Sequence, residues 1–99
     1  MRIISRRTLR VFWETHGRKD AEQPLRAWFH EAEKADWSKP GDIKEHYRNA
    51  SIVGNNRVVF NIAGNKYRLV VAVHYKKRIV FIRFIGTHSE YDKINVETV

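Results

Sequence analysis

Three runs in the second half of the chain, RVVFNI, KYRLVVAV and RIVFIRFI, have strand composition and are parted by turns so short that only antiparallel pairing can join them. This constrains the fold more than any other feature. If Gly64-Asn65 is a two-residue hairpin loop, Asn61 lies opposite Arg68, Phe60 opposite Leu69 and Ile62 opposite Tyr67. If Lys76-Lys77 is the next such loop, Arg83 falls opposite Val70. Asn61, Arg68 and Arg83 then share one face of a meander. Val58, Phe60, Leu69, Val71, Val80, Ile82 and Phe84 make the other face apolar, so something amphipathic must cover it.

The first half of the chain supplies that cover. After a short strand at RII, Ser5 is a candidate N-cap for a helix running to about His16, where Gly17 can stop it. Leu9, Phe12 and Trp13 fall on one stripe of this helix, and Arg6, Arg7 and Arg10 fall off it. Asp20 and Gln23 have capping-box spacing, Pro24 suits a first turn, and Leu25, Trp28, Phe29 and Ala32 repeat at helical period to about Asp36. Pro40 and Gly41 mark a turn before a short helix burying Ile43 and Tyr47. The predicted fold is α+β in the order β-α-α-β-β-β with a short C-terminal element: two helices on one face of a small antiparallel sheet, as a single domain over residues 1–99. No repeat or linker interrupts it.

Composition narrows the function. Nineteen Lys and Arg stand against eleven Asp and Glu, a formal net charge of +8. An excess of this size favours nucleic acid or an acidic protein as partner. Eleven of the nineteen are arginines, whose planar fork suits phosphate. The absence of cysteine excludes a disulfide framework, a thiolate nucleophile and Cys-ligated zinc. The longest apolar run, LVVAV, is too short to span a bilayer and the start lacks a signal-peptide core, so the expected location is cytoplasmic with no membrane partner.

The polar face is where chemistry is expected. An ion-paired edge residue is the plain reading of Arg83, and a turn-adjacent polar residue that of Asn61, but convergence with Arg68 on one face favours function. Two guanidiniums and an amide there can hold a phosphodiester and stabilise charge developing on it. His88, just beyond the last strand, suits proton transfer near neutral pH, and Tyr91 follows it. His16, His30, His46 and His74 form no pair at metal-ligand spacing, and no metal or cofactor is predicted. Without a glycine-rich phosphate loop, a GxSxG elbow or a magnesium-holding carboxylate cluster, the chemistry left open is metal-free work by Arg, His, Tyr and Lys66. RNA cleavage through the substrate's own 2′-hydroxyl needs little more than a proton acceptor, a proton donor and cations around the phosphate.

Over nearly its whole length, and most clearly in VVFNIAGNKYRLVVAV and IRFIGTHSEYDKI, the chain resembles HigB-type toxins of the RelE-like superfamily. The resemblance implies a RelE-like α+β fold and mRNA cleavage on translating ribosomes. It also implies a cognate HigA-like antitoxin with a helix-turn-helix domain, through which alone operator DNA would be engaged. Arg68 matches the arginine that these nucleases place on the corresponding strand to contact the scissile phosphate. His88 falls where RelE carries an arginine and where other HigB-like toxins use a histidine nearby. RelE's lysines on the preceding strand are replaced here by Val59 and Asn61, and its C-terminal tyrosine lies further past the strand than Tyr91. The expected catalytic set is therefore His88, Arg68 and Arg83. Asn61, Lys66 and Tyr91 are expected to position RNA, and Arg57 with Arg6, Arg7 and Arg10 to dock messenger or ribosomal RNA by charge. A non-catalytic module that blocks translation by occupying RNA is the alternative.

Overall fold

A computed structural model describes residues 1–15 and 17–99. A five-stranded sheet is built from β1 (Arg2–Ile4), β2 (Ser51–Val53), β3 (Arg57–Ile62), β4 (Tyr67–His74) and β5 (Ile79–Thr87), in the spatial order β1-β5-β4-β3-β2. Helices α1 (Arg6–Glu14), α2 (Glu22–Lys34) and α3 (Pro40–His46) precede β2, and a single turn, α4 (His88–Tyr91), follows β5. The α+β architecture is the expected one. The sheet is wider than a meander because β1 joins β5 in parallel and β2 adds an antiparallel edge. Ser51–Val53 is too short to carry a period, so nothing in its sequence announces a strand.

The β3–β4 register is the expected one: Phe60 faces Leu69, Asn61 faces Arg68 and Ile62 faces Tyr67. Ala63 and Gly64 take the positive φ values of 55° and 69° at this turn, and Lys66 N–H donates to the Ala63 carbonyl at 3.3 Å. Along β4 and β5 the expected register holds from His74–Ile79 to Val71–Ile82, then breaks at a bulge. Arg83 is the extra residue. Val70 therefore faces Phe84, not Arg83, and every later residue of β5 changes face. This corrects two expectations at once. Phe84 leaves the helix-covered face, Ile85 takes its place against the core, and Gly86 comes to stand opposite Arg68.

The core lies between the helices and one sheet face. Leu9 and Phe12 of α1, Leu25, Trp28 and Ala32 of α2, and Ile43 of α3 pack on Val58, Phe60, Leu69, Val71, Val80 and Ile82. Phe60 is its hub, with ring centroids 5.4 Å from Trp28, 6.1 Å from Trp37 and 5.1 Å from Tyr47. Such aromatic pairs add about 0.5–1.5 kcal/mol each beyond the area they bury.

The helix ends differ from the sequence reading. Ser5 does sit at the start of α1, but at φ 74° and without a side-chain cap bond; its carbonyl takes the Thr8 N–H at 3.0 Å. The helix stops at Glu14, with Thr15 extended, and the expected end at His16 lies outside the described residues. Asp20 caps nothing: it sits in a 3-10 turn (Lys19–Ala21), and Ala21 precedes α2, which ends two residues short of Asp36.

The face away from the helices is partly covered. Val59 and Val70 are 3% and 0% exposed there. The segment after α4 turns back toward the β2–β3 turn, where Asn55 donates to the Glu97 carbonyl and Arg57 to a Val99 oxygen, each at 2.8 Å. Elsewhere on this face Asn61, Arg68 and Phe81 are half-buried and Arg83 is exposed.

A Cβ at Gly86 would collide with the Phe84 ring. Gly86→Ala should therefore destabilise the fold by about 1–3 kcal/mol, the usual cost of overpacking. Urea unfolding should show that loss, and a Phe84→Leu background should shrink it.

Candidate active site

The Arg68 side chain leaves β4 on the face turned from the helices, flanked by half-buried Asn61 on β3 and by Gly86 on β5. A residue larger than glycine opposite it would crowd this corner, which the Phe84 ring already fills. One guanidinium nitrogen donates to the Asn65 carbonyl at 3.0 Å, and the other reaches Nδ1 of His88 at 3.3 Å. A guanidinium has no acceptor, so this is a hydrogen bond only when Nδ1 offers its lone pair. The ring proton of a neutral imidazole then sits on Nε2. There, the Asp92 carboxylate stands 3.5 Å away, one turn further along. His88 is thus held between a cation on its acceptor side and an anion on its donor side. The Tyr91 ring lies edge-on to it, centroids 6.5 Å apart.

His88 is placed by the start of α4. Thr87 and Glu90 form a reciprocal capping box: Thr87 N–H donates to Glu90 at 2.8 Å, and Glu90 N–H donates to the Thr87 hydroxyl at 3.2 Å. The second Glu90 oxygen accepts from Arg18 at 2.8 Å, and that guanidinium also lies 4.8 Å over the Phe12 ring. The Thr87 N–H foremost, then Arg18, holds the Glu90 carboxyl below its ordinary range. The connector between α1 and α2 therefore braces the turn that carries His88.

The same connector fixes the start of β4. Asp20 accepts from Lys66 and, at 2.5 Å, from the Tyr67 hydroxyl. These contacts, that from Lys66 first, keep Asp20 low, and Asp20 in turn raises Lys66. Lys66 is thereby held as an ammonium ion and is no proton acceptor.

Of the residues singled out from sequence, Arg68, His88, Asn61 and Tyr91 come together. The others stand apart. Arg83, exposed on the bulge, lies with its guanidinium 5.6 Å over Phe81, a residue paired with Ala72 roughly 20 Å along the strand from His88. Arg57 is spent on the Asn55 and Val99 oxygens. Arg6, Arg7 and Arg10 belong to the helical layer, on the other side of the sheet. Arg18, Glu90 and Asp92 were missed. THSE is a legible capping box and His88–Asp92 a legible i,i+4 pair, but no local signal reaches across the 72 residues from Arg18 to Glu90. Among the described residues no group of three His, Cys, Asp or Glu could hold a metal ion, and no helix is long and apolar enough to cross a membrane.

Because Glu90 and Asp20 titrate lower in the folded chain than unfolded, the stability they give is present above about pH 4.5 and drains away as pH falls through their folded values. Glu90→Gln should be less stable than the parent at pH 7. The gap should close as pH falls below about 4, as read by chemical denaturation across that range.

A family model, HigB_toxin, described as the RelE-like toxic component of a toxin-antitoxin system, matches residues 21–94. The matched stretch spans every strand but β1 and contains Arg68, His88, Tyr91 and Asp92. A search of curated proteins finds no match.

Proposed function

The chain belongs to the HigB-type family of RelE-like toxins, toxic components of toxin-antitoxin systems, and from that premise we propose that it is a metal-independent endoribonuclease that cuts messenger RNA on translating ribosomes in the cytoplasm. The supporting observation is the contact between the Arg68 guanidinium and Nδ1 of His88 at an exposed end of the sheet. In the free chain, each of these groups keeps the other's reactive edge occupied. A scissile phosphate would compete for the Arg68 fork, since a phosphate is a better partner for guanidinium than an imidazole is. Its arrival releases the Nδ1 lone pair at the place where the neighbouring 2′-hydroxyl would lie.

In this mechanism Nδ1 takes the 2′-hydroxyl proton as the 2′-oxygen attacks phosphorus. The bond to the 5′-oxygen breaks, leaving a 2′,3′-cyclic phosphate, and the departing oxygen takes its proton from water at the exposed rim. Asp92 orients the imidazole and stabilises the charge it gains, a positioning role. Arg68 stabilises the negative charge that builds on the phosphate oxygens. Asn61 and Tyr91 position the RNA. Arg83 would meet phosphate further along the strand rather than at the bond that breaks. A protein antitoxin carrying a helix-turn-helix domain is proposed as the neutralising partner.

His88→Ala should slow cleavage by about 10²–10⁴-fold, the usual worth of a positioned acid or base. Arg68→Ala should cost about 10²–10³-fold, as for a lost oxyanion donor, and Asp92→Asn less than His88→Ala. Mapping of transcript 5′ ends, with and without ribosomes, measures all three. If growth arrest persists with no new ends from the parent chain, the protein blocks translation by occupancy. If His88→Ala cuts as well as the parent, the assignment of His88 is wrong.

A further inference from the structure

The bulge at Arg83 turns a phenylalanine out of the core. Ile85, not Phe84, packs on the buried cluster, and Phe84 stands half-buried on the opposite face, paired with Val70. Its ring lies over Gly86, which is buried. A Cβ at Gly86 would fall 2.4 Å from Cζ of the ring and 2.8 Å from both Cε atoms. A point beyond the ring's edge would be much further from the Cε atoms than from Cζ, so these near-equal distances place it against the ring's face. The ring therefore lies flat on the Gly86 backbone, and its other face is turned away from the strand. Only a glycine lets a ring approach the backbone so closely.

The outward face has no partner of the kinds that occupy the other rings. Of the five phenylalanines, Phe12 and Phe60 pack edge-on to other aromatic rings, and Phe29 and Phe81 lie beneath Arg6 and Arg83. Among the described residues no aromatic ring and no cation stacks on Phe84. What borders it is the site. Gly86 pairs with Arg68, so the ring lies one strand spacing, about 5 Å, from the strand that carries the guanidinium, and His88 follows two residues on. A nucleotide's base and phosphate are joined through a single ribose, a span that suits the gap from this ring to Arg68. An aromatic face beside a phosphate-binding cation is how proteins hold single strands, the ring taking the base and the cation the backbone. An apolar side chain of a partner protein could also rest on the ring, but it would make no use of Arg68 and His88 alongside.

We infer that Phe84 is the stacking platform for a nucleobase next to the phosphate that Arg68 holds. The inference deepens the nuclease reading and rests on it for the class of ligand. That ligand is a single strand with an unstacked base at this point, since a base inside a duplex has both faces covered by its neighbours. Stacking uses a π face rather than a hydrogen-bond pattern, so Phe84 supplies grip without choosing among the four bases.

The probe is a labelled hexamer of 2′-O-methyl adenylates, which has bases to stack but no free hydroxyl to attack phosphorus. Its comparator is a backbone of equal length and charge without bases. Binding to the full chain is read by fluorescence anisotropy. Phe84→Leu should weaken binding of the hexamer by about five- to tenfold, the loss expected for one base–aromatic stack, and should bind the abasic backbone as the parent does. Phe84→Tyr and Phe84→Trp, which keep a flat ring, should hold the hexamer within about twofold of the parent. A purely structural role for the ring would instead lower the affinity for both ligands together. Three outcomes overturn the inference: no saturable binding of the hexamer by the parent, equal binding of it by Phe84→Leu, or a loss in Phe84→Leu that is as large for the abasic backbone. The hexamer cannot be cut, so these readouts are separate from cleavage. A parent that stacks the hexamer yet yields no new transcript 5′ ends sinks the nuclease reading alone, and one that yields them while Phe84→Leu binds the hexamer unchanged sinks the stacking alone.

Discussion

The bulge at Arg83 sets the geometry on which the site depends. Continued without it, the β4–β5 register would put Ile85 opposite Arg68, a branched side chain on the face where the guanidinium must lie. The extra residue shifts the end of β5 by one. Ile85 turns inward to the core, Gly86 arrives opposite Arg68, and the strand ends with Thr87 positioned to cap α4. Backbone, not side chain, thus borders Arg68 on that side, and His88 emerges within 3.3 Å of it. A change of parity over four residues turns an apolar strand end into a polar corner. Bulges recur beside functional sites because they re-aim side chains in this way.

Much of this was written in the sequence, and what was not has physical reasons. The β3–β4 pairing follows from a turn with glycine at hand and from alternation on both sides, since a slip of one residue would bury Asn61 and Arg68 under the helices. The amphipathic periods of α1 and α2 are as legible, because each buries its stripe on a sheet face of matching composition. The bulge is silent in sequence. VFIRFIG is apolar enough for either parity, and only packing of Ile85 against the core decides between them. The Asp20–Gln23 spacing misled for a related reason: the Asp20 carboxylate has stronger suitors in Lys66 and the Tyr67 hydroxyl, which come from a hairpin 46 and 47 residues away. A local motif was outcompeted by a distant one.

The charge excess divides in the same way. A net charge of +8 says only that anions are welcome. Among the described residues three groups of cations can be told apart. Arg18, Arg26, Lys66 and Arg78 are paired with carboxylates and serve the fold. Arg68 faces an imidazole that can yield it to a phosphate. Arg6, Arg7 and Arg10 stand together in the helical layer and form no ion pair among the described residues. The composition alone could not separate these, since which arginine finds an acid depends on contacts between elements far apart in the chain.

The connector between α1 and α2 ties the helical layer to the candidate site. Arg18 rests on Phe12, a core residue of α1, and holds Glu90, whose other oxygen closes the cap of the turn bearing His88. Two residues on, Asp20 holds the first residue of β4, next to Arg68. Both members of the Arg68–His88 pair are therefore braced from the same short segment. Arg18 and Asp20 lie just outside the stretch that matches the family model, which begins at residue 21. Arg68 and His88 thus lie within the matched stretch, whereas Arg18 and Asp20, which brace them, lie on its N-terminal flank. A shift of α1 against the sheet would be felt first at Phe12 and Arg18, and through Glu90 at the imidazole. Because the exposed ion pairs in this chain are individually weak, the bracing from this segment is the sum of the Arg18–Glu90, Asp20–Lys66 and Asp20–Tyr67 contacts rather than the work of any one of them.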